Sequence, residues 1–356
     1  MDFNAFKTIV SPEAISMHWT EAQTSNDAYI GEALFPRQQK AGLDLSWFKG
    51  SKGLPISLMP SAFDAKATYR DRMGVSKIES EMPFFREGFK IKEKDRQNIL
   101  QAMDSSNPYV REIIAKVFDD ADQLIEGARV VGERMRMQLL FAENGNVGIS
   151  IVANGVDYTY NYDPDGDWKR TNYFALAGTS KWDDKDHSDP LADIQQGKDA
   201  ISDKGGQAAI MAMNSATLRT LRGNKALLNR FITTSGVAVA NPTDSDMQKV
   251  LRDSAELELL VYDKKYQNEN KHTFKFVPDG YVAILPDSTL GTTYLGTTPE
   301  EADLISSNMA DVAIVDTGVA VTQITEPHPV NINTIVSEII LPSYEQMDQV
   351  ALLKVY

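Results

Sequence analysis

The apolar residues Val110, Ile114, Val117, Ala121, Leu124, Ala128, Val131 and Met135 recur at alternating spacings of four and three, with charged residues between them. That period draws one continuous apolar stripe along an α-helix. Asn107 can cap its start, and Pro108 suits the first turn, where a missing N–H costs nothing. No proline interrupts the stretch, and Asn144 with Gly145 supplies a stop. The pattern predicts one helix over 108–143, roughly 36 residues and about 54 Å long. No part of it carries a recognisable catalytic group, so it reads as a beam.

Elsewhere the period shortens to two. Leu43, Leu45 and Trp47 alternate with Asp44 and Ser46 as in a half-buried strand, which a Gly, Pro and Ser cluster from Gly50 to Ser61 then breaks. Ala65, Ala67 and Tyr69 alternate with Lys66, Thr68 and Arg70, and Ile78, Ser80 and Met82 with Lys77, Glu79 and Glu81. This predicts a long hairpin with little large apolar surface. A two-stranded ribbon alone is marginal in water, so the hairpin is expected to lie on another surface and to add little to its own chain's fold. Asn154 and Gly155, between 149–153 and 156–162, predict a type I′ turn, which needs positive φ at both central residues. A short helix from Ser11 and Pro12 to about Gln23 is expected in an N-terminal arm. Helices over 190–202, 215–231 and 244–253 with strands over 257–262, 274–276 and 281–285 make a mixed α/β unit. Strands over 312–316, 319–325 and 330–341 follow. No internal repeat or low-complexity segment appears.

At 356 residues, 42% hydrophobic and 24% charged, the chain has material for a sizeable core and two domains. Its formal charge of −14 argues against a protein whose task is gripping phosphates, while leaving room for one that works beside DNA without adhering to it. The absence of cysteine excludes disulfides, thiolate metal sites and cysteine nucleophiles, and fits an intracellular origin. No stretch approaches the about 18 apolar residues of a membrane span, and the first residues do not read as a signal peptide.

The candidate chemistry is thin. Asp163, Asp165 and Asp167 resemble the start of a calcium loop, but Trp168 stands where glycine is needed and Phe174 where a bidentate Glu is needed. Asp183, Asp184, Asp186, His187 and Asp189 crowd one polar stretch before a proline-started helix and read as a surface loop. The Gly50–Gly53 segment lacks phosphate-loop spacing. His18, His187, His272 and His328 are scattered, and no serine sits in a nucleophile elbow. No catalytic residue, metal ligand or cofactor site is assigned. Arg70, Arg72, Lys77 and Arg86 interleave with Glu79 and Glu81, a mixed-sign surface that suits contact with a neighbouring protein better than a phosphate track. These six residues are the candidate intersubunit contacts.

The order of parts, an arm, a projecting hairpin, a beam helix, an α/β unit and a strand return, resembles the Hong Kong 97-type fold of tailed-phage major capsid proteins. Trp182–Asp186 followed by Asp189–Ile194, Phe276–Gly280 with 281–285, and 291–297 resemble the lambda-type capsid family. The likeness extends from about Phe35 to the C-terminus.

That resemblance implies an α+β chain with an arm over 1–50, an extended loop over 51–95 lying across a neighbour, and a peripheral domain over 96–170 and 312–356 that contains the spine helix. It implies an axial domain over 171–311 whose tips meet at the centre of pentamers and hexamers. The implied function is the icosahedral shell of a tailed bacteriophage head, enclosing double-stranded DNA without sequence-specific binding. The implied partners are further copies of the chain, a separate scaffolding protein and a portal protein, with room for a decoration protein and no membrane. Residence in the virion after assembly in the host cytoplasm follows. A Lys–Asn isopeptide joining Lys66 or Lys77 to Asn331 or Asn333 is not expected of a lambda-type protein. Two other readings compete: an encapsulin-like compartment shell, and a metal-dependent hydrolase using the aspartates of 163–189.

Overall fold

The computed structural model describes residue 8 and residues 11–22, 28–49, 76–91, 109–235, 242–304, 310–315, 318–327 and 330–356. In chain order the elements are α1 (Pro12–Ala22), α2 (Ile30–Leu34), β1 (Arg37–Gln39), β2 (Asp44–Lys49), β3 (Ser76–Glu81), β4 (Phe84–Ile91) and α3 (Tyr109–Leu140). Next come β5 (Gly148–Ala153), β6 (Val156–Asn161), α4 (Asp167–Asn172), β7 (Tyr173–Ala175), α5 (Pro190–Ser202), β8 (Ile210–Met213), α6 (Ser215–Arg222), α7 (Lys225–Ser235) and α8 (Asp244–Ala255). The remainder are β9 (Glu258–Val261), β10 (Lys265–Gln267), β11 (Thr273–Lys275), β12 (Tyr281–Leu285), β13 (Thr293–Leu295), β14 (Asp311–Val315), β15 (Val319–Pro327), β16 (Val330–Pro342) and β17 (Ala351–Lys354). The fold class is α+β, as expected. Contacts divide the chain into two units, one of Met1–Leu45, Ser80–Arg134 and Thr292–Ser343, the other of Ser46–Glu79, Met135–Gly291 and Tyr344–Tyr356.

The first unit is organised by β16, which spans 13 residues. It pairs antiparallel with β15 from Val330 to Glu338, with β4 from Ile332 to Ile339, and with β13 from Ile340 to Pro342. Period-two alternation sends Val319, Val321 and Val336 to one face, where Ile15 and Trp19 of α1 and Ala121, Leu124, Ile125 and Ala128 of α3 cover them. The predicted helical stripe is thus the buried one. Each fully buried aliphatic side chain there stabilises by about 1.5–3 kcal/mol. Gly88 is required by close approach, because a Cβ at that position would stand 2.9 Å from the Thr334 carbonyl oxygen.

The arm is tied to α3 by polar groups. The Tyr29 hydroxyl donates to Glu126, and the Gly31 N–H donates to Glu133 Oε1 at 3.1 Å. Arg129 lies over the Tyr29 ring and reaches Glu32, which Arg37 also meets at 2.8 Å. Burial, followed by the bond to Glu126, pushes the Tyr29 hydroxyl well above its ordinary pKa.

The second unit carries a five-stranded sheet ordered β7–β17–β12–β8–β9. Every residue of β12 is buried, and Val282 and Ile284 share a core with Leu353, Met211, Ile194 and Ile201 of α5, and Leu251 of α8. Gly197 lets α5 lie close to β12, since a Cβ would meet Ile284 Cδ1 at 2.7 Å. The end of α3 supplies buried Met135, Leu139 and Leu140. The predicted turn between β5 and β6 has φ of 51° at Asn154 and 78° at Gly155.

Three expectations are corrected. The helix expected over 215–231 is two helices, because the Asn224 side chain accepts from the N–H groups of Ala226 and Leu227 and starts α7 afresh. The strand at 76–81 pairs with β2, and residues 50–75, which include most of the first expected hairpin strand, lie outside the described residues. Residues 84–91, assigned to a loop that adds little to its own fold, form β4 inside the first unit's sheet. Bulky Phe84 and Phe85 there are half-buried, and Met82 just before them is 3% exposed.

Candidate subunit-contact surface

Of the six candidate contact residues, Arg70 and Arg72 lie outside the described residues. Lys77 and Glu79 lie on the backbone of β3, and Glu81 is exposed at its end. Arg86 is on β4, with its guanidinium 4.6 Å from the centre of the Phe84 ring and ion-paired with Glu300. That pair joins a half-exposed arginine to a carboxylate buried to 6%. One side of Arg86 therefore serves its own chain.

Beyond it, Glu87, Gly88, Phe89 and Lys90 are all exposed along β4, and Phe89 is a large apolar side chain left 41% open. Among the described residues no strand pairs with the other side of β4. Lys90 binds Glu326 at 2.7 Å, and the amides of Asn331 and Asn333 also donate to that carboxylate. Those bonds, Lys90's first, hold Glu326 below the usual carboxylate range. The result is a strip of alternating charge around one exposed ring, a composition that orients a protein partner. The pattern in the sequence flagged the charges and missed Phe89, because a single aromatic in an alternating strand reads as core.

The aspartate-rich stretches are structural. Asp163 accepts from the N–H groups of Trp168 and Lys169 and so caps α4. Trp168 is fully buried, its indole donating to the Met347 and Val350 carbonyls. Asp189 caps α5 by accepting from Ala192, and Asp193 accepts from the buried Trp182 indole at 2.8 Å. Burial raises the Asp193 pKa, with the indole bond opposing. Asp184 is held low by the His187 ring at 3.0 Å and by the N–H groups of Asp186 and His187. Asp186 pairs with Lys225. Among the described residues no three carboxylate or imidazole side chains are placed to hold a metal, and no helix is long and apolar enough to cross a membrane.

Comparison with known proteins adds the family. The family model described as phage major capsid protein E matches residues 19–355. No curated protein matches the sequence. Among solved structures, a putative capsid protein of an Escherichia coli CFT073 prophage is similar with a TM-score of 0.61 at 12% identity, covering 97% of this chain and 99% of that one. A phage-related protein from Bordetella bronchiseptica RB50 gives 0.55 at 15% identity, with 97% of each chain covered. The capsid subunit of cyanophage A-1(L) gives 0.50 at 11% identity, covering 92% of this chain and 91% of that one.

Proposed function

The chain belongs to the phage major capsid protein E family and is a major capsid protein of a tailed phage with the Hong Kong 97-type fold, and from that premise we propose how its parts divide the work. Copies of the chain make the shell, and the encapsulin-like and hydrolase readings are not favoured. Membership of a structural family is consistent with a protein that catalyses nothing. Residues 96–170 and 312–356 act as the peripheral domain, which contains the α3 spine, and residues 171–311 as the axial domain. The segment between β2 and β3 reaches over a neighbour, with Arg70 and Arg72 of that segment and Lys77, Glu79 and Glu81 of β3 among the contacts. Arg86 contributes from β4 while paired with Glu300.

A separate scaffolding protein directs closure. A portal protein occupies one vertex, and assembly takes place in the host cytoplasm. The net charge of −14 keeps packaged DNA from adhering to the inner wall. The observation that carries this division is the exposed side of β4, which no strand pairs among the described residues, with Phe89 open on it: a strand edge and an aromatic left to solvent are liabilities that a neighbouring copy removes. Co-expression with the scaffolding protein tests it. Closed shells are expected, with capsomers, tubes or aberrant particles from the chain alone. A monomer at high concentration with the scaffold present contradicts it.

A further inference from the structure

The ribbon of β10 and β11 is registered as Lys265↔Lys275, Tyr266↔Phe274 and Gln267↔Thr273. Opposite residues share a face, and faces alternate along each strand. One face therefore carries Tyr266 and Phe274, the other Lys265, Gln267, Thr273 and Lys275. The aromatic face fixes the ribbon: the Phe274 and Tyr266 centroids are 5.8 Å apart, Tyr266 and Phe276 4.9 Å, and Phe276 and Tyr262 6.0 Å, a ladder rooted in buried Tyr262 and Phe276. Such stacking holds a ribbon that would be marginal alone.

The other face is exposed at all four positions. It sets two lysines directly opposite each other, and like charges so placed destabilise a strand pair. Lys275 meets Asp279 at 2.7 Å, while Lys265 has no ion-pair partner among the described residues. At the tip, Asn268 accepts from the N–H groups of Asn270 and His272. Lys271 there is exposed and equally unpaired among the described residues, and it takes φ of 61°, a position that glycine or asparagine would fill at less cost. Residues 264–275 hold four lysines and one glutamate, a formal +3 in a chain of −14. The flanking aspartates are engaged elsewhere: Asp263 accepts from the Ser215 N–H at 2.8 Å, and Asp279 accepts from Asn214 as well as Lys275.

The composition of that face selects its partner. Two lysines, an amide and a hydroxyl carry no apolar side chain to desolvate, and lysine is depleted from the cores of protein interfaces. Lysine, glutamine and threonine side chains are instead groups that meet phosphate oxygens, and such contacts position a nucleic acid without reading its sequence. The acidic surface elsewhere repels phosphates, which confines contact to the ribbon.

Resting on the capsid reading, we propose that the polar face of the β10–β11 ribbon touches the phosphate backbone of the packaged double-stranded DNA, with Lys265 and Lys271 as its cations and Gln267 and Thr273 as neutral donors. The test titrates the purified full chain onto a short labelled DNA duplex of mixed sequence and reads fluorescence anisotropy from about 50 to about 200 mM salt. Wild type is expected to bind with the Kd of a non-specific contact, about 10⁻⁴ to 10⁻⁶ M, and log K to fall against log salt with a slope of about −2, one unit for each free lysine. Lys265→Gln with Lys271→Gln is expected to melt as wild type does, to bind at least about tenfold more weakly and to lose the salt slope. Lys116→Gln with Lys249→Gln, two exposed lysines away from the ribbon, removes the same charge and is expected to leave binding unchanged. Co-expressed with the scaffolding protein, the ribbon variant is expected to close shells in wild-type numbers by electron microscopy. No binding by wild type at low salt, unchanged binding by the ribbon variant, or an equal loss in the control pair overturns the proposal. Loss of shells by the ribbon variant overturns it as well, by making the face a protein contact. A wild-type chain that forms no shells removes the capsid reading itself, and with it packaged DNA as the occupant.

Discussion

Arg86 and Glu300 form an ion pair across the first unit, in which the arginine is 47% exposed and the carboxylate 6%. Removing the exposed partner strands a buried charge, because one Glu300 oxygen already has no hydrogen-bond donor among the described residues. Arg86→Ala is expected to lower stability by about 1–2 kcal/mol, less than for a fully buried pair because solvent screens half of the arginine. Urea melts check this. Adding Glu300→Gln to Arg86→Ala is expected to recover part of the loss, whereas a role confined to a neighbouring copy leaves the melt of the isolated subunit unmoved.

Glu326 gives a pH dependence with a definite sign. Its folded-state pKa lies below the ordinary value because Lys90, Asn333 and Asn331 donate to the carboxylate. The stability it contributes is therefore present above the ordinary carboxylate range and lost as pH falls through the depressed value. The Tm difference between wild type and Glu326→Gln is expected to be largest near neutral pH and to shrink in acid. A constant difference from neutral to strongly acid pH contradicts the assignment.

The same amides bear on covalent lacing. With no cysteine, disulfides are excluded, and the amide nitrogens of Asn331 and Asn333 are committed to the Glu326 carboxylate. Denaturing gels of mature particles are expected to show one band near the 39.5 kDa chain mass. A ladder of multimers contradicts this.

Trp168 links α4 to the chain before β17. Its buried indole donates to Met347 and Val350 at 2.9 and 3.0 Å. Trp168→Phe keeps an aromatic ring but removes the donor and leaves a void, and is expected to cost about 2–4 kcal/mol in denaturant melts. A loss under about 0.5 kcal/mol would show that the bonds contribute little.

The sequence made legible those parts whose signal is local. The α3 stripe, the Asn154–Gly155 turn, the Asp189–Pro190 start of α5 and the short apolar run of β12 lie where the pattern of residues puts them. β1 and β13 did not show, because each has three residues and they pair in parallel across more than 250 positions, which no local pattern records. β17 was hidden for a different reason: as a buried strand beside β12 it is a continuous apolar run without alternation. The contact surface was half legible. Its charges stood out by their density, while Phe89 and Phe274 are assigned to core by any hydrophobic pattern until exposure is known. The membership of β4 in its own chain's sheet was missed because its partner lies more than 240 residues away.

The central claim is that each chain folds around its two units while the segment between β2 and β3 completes the shell. It is tested by replacing residues 50–75 with a short Gly-Ser linker and following the purified variant by circular dichroism melting and electron microscopy together. The predicted result is a cooperative melt within about 5 °C of wild type, since this deletion spares the buried Met82 and the β4 pairing, with no closed shells. Extending the replacement through Ile91 is expected to abolish the cooperative melt, because β16 then loses a strand along eight residues. Normal shells from the 50–75 replacement, or an unfolded subunit, would contradict the account.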